Sequence, residues 1–190
     1  MNHSSEQCCE LFFKTLGLLF LNGPSEENVQ LLTMGLENSR QCGLISQQEH
    51  EELSAQLDPE ALGRDYTSLF CLGSSSLSLY ESVWLTGLVM QEPRDELRKI
   101  LKACGLKPNI DSNEPEDHLG YIYYCIGMLI ERQRTNEDKS QSEDKGLLQE
   151  AVSHLKWTQP LADAISDRHK GNFYSNTISI ANRLAKETIK

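Results

Sequence analysis

Glu114-Pro115-Glu116-Asp117-His118-Leu119-Gly120-Tyr121-Ile122-Tyr123-Tyr124-Cys125-Ile126-Gly127-Met128-Leu129-Ile130-Glu131-Arg132-Gln133 is the stretch whose reading decides the fold. Leu119, Ile122, Ile126, Leu129 and Ile130 recur at helical spacing, and Tyr121, Tyr124, Cys125 and Met128 cover the other sides. A segment this long predicts a helix from Glu114 to about Gln133, roughly 30 Å at 1.5 Å per residue. A helix that is apolar nearly all round belongs at the centre of a core, with other helices packed around it.

The flanking sequence supplies those helices. Cys9, Phe12, Leu16, Leu19 and Phe20 form an apolar stripe that should stop at Asn22-Gly23-Pro24. A second helix is expected from Ser25, with Val29, Leu32 and Leu36 on one face and a break at Cys42-Gly43. Ser46-Gln47-Gln48-Glu49 has the form of a capping box, in which serine and glutamate each satisfy an orphan backbone donor. Asp58-Pro59 reads as an N-cap followed by the first residue of a fourth helix, carried by Leu62, Tyr66, Leu69 and Phe70 to Gly73. After a serine-rich loop over 72–79, Tyr80 to Met90 reads as helical, and Glu92-Pro93 restarts the chain with Leu97, Ile100, Leu101 and Cys104 buried until Gly105.

Residues 131–146 hold no aliphatic or aromatic side chain, and their middle reads as a solvated linker. This divides the chain into an N-terminal helical portion over 1–133, a polar linker over 134–144 and C-terminal helices over 145–190. The last of these helices carries Phe173, Ile178, Ile180, Ala181, Leu184 and Ile189. No strand alternation is evident, so the fold class is all-α, a single helical bundle.

Composition narrows the function. Hydrophobic residues make up 38% and charged residues 24%, proportions that suit a folded globular protein rather than a disordered one. The formal net charge of −10 repels a phosphate backbone and favours basic partners, so nucleic acid is not expected as one. The six cysteines show no zinc-type spacing and read as free thiols. No export signal and no apolar run of membrane-spanning length is visible, which predicts a cytoplasmic protein without stable membrane insertion.

The acid-rich start of the central stretch is the first candidate site. As a helix end, Asn113 or Glu114 would cap, Pro115 would preset the first turn, and Glu116 and Asp117 would complement the macrodipole. A cation at His118 would oppose that dipole, which favours a neutral imidazole there. Glu114 and His118, four apart, could share a face and a metal, but no second ligand pair accompanies them. An Asp117–His118 dyad would need non-helical geometry, since successive helical residues point about 100° apart. No hydrolase, zinc-protease or phosphate-loop motif occurs, and neither a catalytic residue, a metal nor a cofactor is assigned. The second candidate is the aromatic and apolar group of Tyr66, Leu69, Phe70, Tyr80, Trp84 and Trp157 beside the serine-rich loop. With carboxylates at its edge, such a group suits an extended peptide that is both basic and apolar.

Taken in order, Tyr66-Thr67-Ser68-Leu69-Phe70, Tyr80-Glu81-Ser82-Val83-Trp84, Glu114-Pro115-Glu116-Asp117-His118 and Phe173-Tyr174 resemble the TorD/DmsD family of redox-enzyme maturation chaperones. The resemblance runs over residues 8 to 188. It implies the family's helical bundle, and a cytoplasmic chaperone that is not an enzyme. Such a chaperone binds the precursor of a molybdenum-cofactor oxidoreductase, with its twin-arginine leader, until cofactor insertion and export. The family's leader-binding positions would fall on Tyr66, Leu69, Phe70, Tyr80, Trp84, Asp117 and His118, with Glu114 completing the candidate set. Leu79 stands where many relatives have proline, and His154-Leu155-Lys156-Trp157 is one residue shorter than the family's usual spacing. Lobe exchange in some relatives leaves monomer and dimer both open. Two other readings compete: a hydrolase or metal-dependent enzyme using Glu114, Asp117 and His118, and an assembly adaptor that docks on a folded partner.

Overall fold

The computed structural model describes residues 3–106, 114–135 and 141–190. Its elements are α1 (His3–Asn22), α2 (Glu26–Gln41), α3 (Gln47–Ser54), α4 (Pro59–Tyr66) with a π-turn over Thr67–Cys71, α5 (Glu81–Thr86), α6 (Glu92–Ala103), α7 (Leu119–Thr135), α8 (Gln141–Ser153), α9 (Thr158–Arg168) and α10 (Phe173–Thr188). The fold is all-α, and no strand occurs among the described residues.

Local signals set most of the boundaries. The Ser25 side chain accepts from Asn28 N at 3.1 Å and starts α2. Ser46 and Glu49 close the capping box of α3, and Asp58 accepts from Ala61 N at 2.7 Å with Pro59 in the first turn of α4. The predicted helix over Tyr80 to Met90 ends early, at Thr86, because Gly87 takes a left-handed C-cap with φ 77°.

The core is built on α1 and α7, whose backbones pack closely. A Cβ at Gly17 would lie 2.8 Å from the Gly120 carbonyl oxygen, and one at Gly120 would lie 2.6 Å from Leu21 Cγ and 2.7 Å from the Gly17 carbonyl. Glycine on both helices is what lets them meet, since any other residue would place a side-chain atom inside the partner. Around that seam Phe12, Phe13, Leu16, Leu19, Phe20, Ile122, Tyr123 and Ile126 are completely or almost completely buried. Phe20 also contacts Phe70 and Tyr174, and Tyr66 meets both of them, with ring centroids 5.2–6.1 Å apart, so one aromatic cluster ties α1, the π-turn and α10 together. Ion pairs close one end of the pair: buried Glu10 on α1 binds Lys14 and Arg134, both at 2.8 Å.

The structure corrects the sequence reading in several places. The central helix begins at Leu119, not Glu114; Glu114 and Pro115 are irregular and Glu116-Asp117 form a turn. The reason is long-range: backbone groups of this segment pair with the Leu79–Glu81 strand-like stretch instead of with a helical turn. Asn113, one of the two capping candidates, lies outside the described residues. Of the predicted linker, Arg134 and Thr135 end α7 and residues 141–144 begin α8, while 136–140 lie outside the described residues. Asp144 is fully buried and pairs with Arg132 at 2.7 Å, an ion pair that polarity alone does not reveal. Finally, Cys8 and Cys42 form a disulfide between α1 and the C-cap of α2, with Cα atoms 6.7 Å apart, whereas all six cysteines were expected as thiols.

Candidate functional site

The site forms where two irregular segments meet. Leu119 N donates to Leu79 O at 2.8 Å and Glu81 N to Asp117 O at 3.1 Å, giving an isolated antiparallel bridge between Tyr80 and His118. The serine-rich loop is folded back beside it, with Leu77 N donating to Leu69 O at 2.7 Å and the Trp84 indole to Ser78 O at 2.8 Å.

Asp117 is completely buried, and its role follows from its partners. Its Oδ2 accepts from Ser82 N at 2.9 Å and from the Ser82 hydroxyl at short range. A carboxylate from a segment 35 residues away thereby satisfies an orphan donor in the first turn of α5. The Ser82 oxygen in turn accepts from Gln91 N at 3.2 Å, which fixes the start of α6. The other carboxylate oxygen of Asp117, Oδ1, is buried without a hydrogen-bond partner among the described residues.

His118 is 4% exposed, and burial pushes its imidazole down to about 4, against the pull of Glu114 and Asp117. Its Nδ1 accepts from Gly120 N at 3.1 Å, so the ring is neutral, as the sequence suggested, though for a different reason. Desolvation, not the end of a helix dipole, keeps it so. The ring packs edge-on against Tyr80, whose hydroxyl donates to Glu114. Burial, reinforced by that bond, raises the Tyr80 phenol above its ordinary range. Glu116 faces away and pairs with Arg94 at 3.2 Å and Arg98 at 2.6 Å on α6; against the upward push of burial, these guanidinium groups hold its carboxyl below the usual value.

A cleft of about 360 Å³ opens over this junction, lined by Tyr66, Phe70, Tyr80, Val83, Glu114 and His118 among others. The candidate residues therefore divide. Tyr66, Phe70, Tyr80, Glu114 and His118 share the cleft wall. Leu69 is 1% exposed and belongs to the core, Trp84 stacks on Trp157 with ring centroids 6.1 Å apart, and Asp117 lies beneath the wall. Next to the cleft, Leu85, Leu88, Val89 and Met90 are each more than half exposed, and Val89 reaches the cleft itself.

Two residues that sequence reasoning left out of the site hold it to the C-terminal helices. Glu81 and His154, both buried, meet at 2.7 Å between carboxylate and Nδ1, beside the Trp84–Trp157 stack. Burial raises the Glu81 carboxyl above its ordinary value even with His154 opposing. The available signal was a lone acid within an aromatic segment, Tyr80-Glu81-Ser82-Val83-Trp84, and a histidine three residues before Trp157. No group of three side chains suited to hold a metal occurs among the described residues.

Comparison with known proteins bears on what this arrangement serves. A family model described as "Nitrate reductase delta subunit" matches residues 38–162, most of the chain. The chain belongs to this family, the TorD family. Chaperone protein TorD of Vibrio vulnificus (strain YJ016) is 30% identical over 132 residues, covering 66% of this chain and 60% of that protein. Chaperone protein TorD of Pasteurella multocida (strain Pm70) is 31% identical over 136 residues, covering 70% of this chain and 65% of that protein. The chain thus spans somewhat less than two thirds of the length of these relatives. A putative redox enzyme maturation protein from Archaeoglobus fulgidus shares the fold, with a TM-score of 0.57, 21% identity, and 95% and 94% of the two chains covered. The resemblance read from the motifs and the all-α fold both hold. No helix among the described residues is long and apolar enough to cross a membrane.

Proposed function

We propose that this TorD-family chain is a cytoplasmic chaperone that binds the precursor of a molybdenum-cofactor oxidoreductase, including its twin-arginine leader, until cofactor insertion and export. The observation that carries this reading is a cleft whose lining joins Glu114 and the aromatic rings of Tyr66, Phe70 and Tyr80 to Val89, with Val89's chain neighbours Leu88 and Met90 exposed. A leader that presents two guanidinium groups and an apolar run matches this combination of carboxylate and apolar surface. Guanidinium recognises a planar carboxylate through paired charge-assisted bonds. The neutral His118 adds a polar edge without opposing a cationic peptide.

Within this reading Asp117 acts indirectly. It is enclosed and committed to Ser82, so it positions α5 and with it the cleft wall. The same commitment argues against the hydrolase alternative, because Asp117 is bound to Ser82 and His118 Nδ1 to a backbone amide.

Isothermal calorimetry with a synthetic twin-arginine leader tests the proposal. Binding that weakens with added salt and falls about tenfold in Glu114→Gln, roughly 1.4 kcal/mol, is expected. Absence of binding to any molybdoenzyme leader or precursor would sink it.

A further inference from the structure

Away from the cleft, the end of α6 and the second turn of α7 meet at two thiols. Cys104 is the C-cap of α6 and half-buried, Cys125 on α7 is fully buried, and their sulfurs lie 3.9 Å apart as a hydrogen-bonded pair. Arg132, also on α7, donates to Ala103 O at 3.2 Å and pairs with buried Asp144, which brings a guanidinium to the same corner. The hydrogen bond from Cys125, and then Arg132, draw the Cys104 thiol down against burial, while the bond to Cys104 and burial raise Cys125. The two sulfurs are therefore unlike in place: one half-buried at a helix end beside a guanidinium, the other enclosed within the central helix. That is the division of labour between an attacking and a resolving cysteine.

A disulfide needs its sulfurs about 2.05 Å apart, so this pair must close by roughly 2 Å. The movement falls on Cys104, which ends its helix and is followed by Gly105 at φ 71°, rather than on Cys125 inside the central helix.

We propose that Cys104 and Cys125 form a dithiol site that a hydroperoxide converts to a reversible disulfide joining α6 to α7. The Cys104 thiolate attacks the terminal peroxide oxygen, the O–O bond breaks, and the alkoxide or hydroxide released takes up the proton that Cys104 gave to solvent. Cys104 is left as a sulfenic acid. The Cys125 sulfur then attacks the Cys104 sulfur; the S–O bond breaks, the S–S bond forms, and the hydroxide leaves as water with the Cys125 proton. The two sulfurs lose two electrons and the peroxide gains two. A bond of this kind is typical of transient, sensing disulfides rather than of structural ones.

The full chain, reduced, freed of reductant and treated with two equivalents of hydrogen peroxide, enough to close both Cys8–Cys42 and Cys104–Cys125, decides the matter. Trypsin does not cut efficiently before Pro108, so residues 103–132 leave as one peptide holding both cysteines. The expected result is a peptide lighter by two hydrogens, refractory to alkylation and restored by a thiol reductant. A peptide alkylated at both positions, or Cys104 carried on to sulfinic acid, overturns the site. Cys104→Ser should abolish the product; it is the safer variant, because Cys125→Ser alters a fully buried position.

Discussion

The seam between α1 and α7 and the junction between α5 and Glu114–His118 are built on opposite principles. The seam is close-packed backbone against backbone, with glycine at the contact and apolar side chains around it. The junction is a lattice of polar bonds between segments far apart in sequence: Asp117 to Ser82, Glu81 to His154, Tyr80 to Glu114. Steric fit is global, because a misfit anywhere along the seam displaces two long helices. Polar bridging is local, because each bond holds one short element in place. The seam should therefore govern stability, and the junction should govern the shape of the cleft.

The sharpest way to break this contrast is Gly120→Ala. Its Cβ would fall 2.6 Å from Leu21 Cγ and 2.7 Å from the Gly17 carbonyl, and the backbone atom has no rotamer to escape through. A loss of about 2–3 kcal/mol, read as a fall in denaturant midpoint with unchanged slope, is expected. A loss under about 0.5 kcal/mol would mean that the seam is looser than its geometry implies.

Acid provides the next test, directed at the junction. His118 is held near 4 in the folded protein and titrates near 6.5 when unfolded. Between these values the unfolded chain binds more protons, so this residue's contribution to stability is present above pH 6.5 and is lost as pH falls toward 4. The expected decline is roughly 2 kcal/mol over that window, smaller than the full shift would give because folded-state groups relax. Glu81, raised by burial, works in the opposite sense, so the wild-type curve alone mixes the two. His118→Asn, whose side-chain oxygen can still accept from Gly120 N, should flatten the decline between pH 6.5 and 4. An identical pH profile in the variant would show that the histidine is not the group responsible.

The same contrast explains what could be read from the sequence. Seam residues announce themselves by periodicity: Cys9, Phe12, Leu16, Leu19 and Phe20 on α1 and Leu119, Ile122, Ile126, Leu129 and Ile130 on α7 are all buried where their spacing put them. Caps are equally local, which is why Ser25, Ser46 and Asp58 start their helices where the reading places them. The motifs brought Tyr66, Phe70, Tyr80, Glu114 and His118 to notice, and the cleft gathers them. Glu114-Pro115-Glu116 misled because a proline-led acidic start has the local chemistry of a helix end. The bonds from Leu79 and Glu81 that hold it in another conformation come from more than 30 residues away. Glu81 and His154 were missed for the same reason, being 73 residues apart and meaningful only as a pair.

Asp117→Ala probes the smallest effect and the most informative one. The substitution removes the acceptor of Ser82 N and Oγ and leaves a buried amide unsatisfied, at a cost of about 1–2 kcal/mol. Were Asp117 a direct contact for a cationic leader, its loss would weaken binding and leave the free protein's optical signature unchanged. As the residue that holds the first turn of α5, it must also disturb Trp84, which sits on that helix and stacks against Trp157. These are the chain's two tryptophans, so their emission reports the stack directly. The expected outcome is a shifted emission maximum in the unliganded variant together with reduced leader affinity, and partial recovery of both in Asp117→Asn, whose carbonyl oxygen still accepts from Ser82 N. Unchanged emission with lost affinity would move Asp117 from a support beneath the cleft to a surface that the peptide touches, and would require the segment to open on binding, since in the free protein the carboxylate is wholly enclosed.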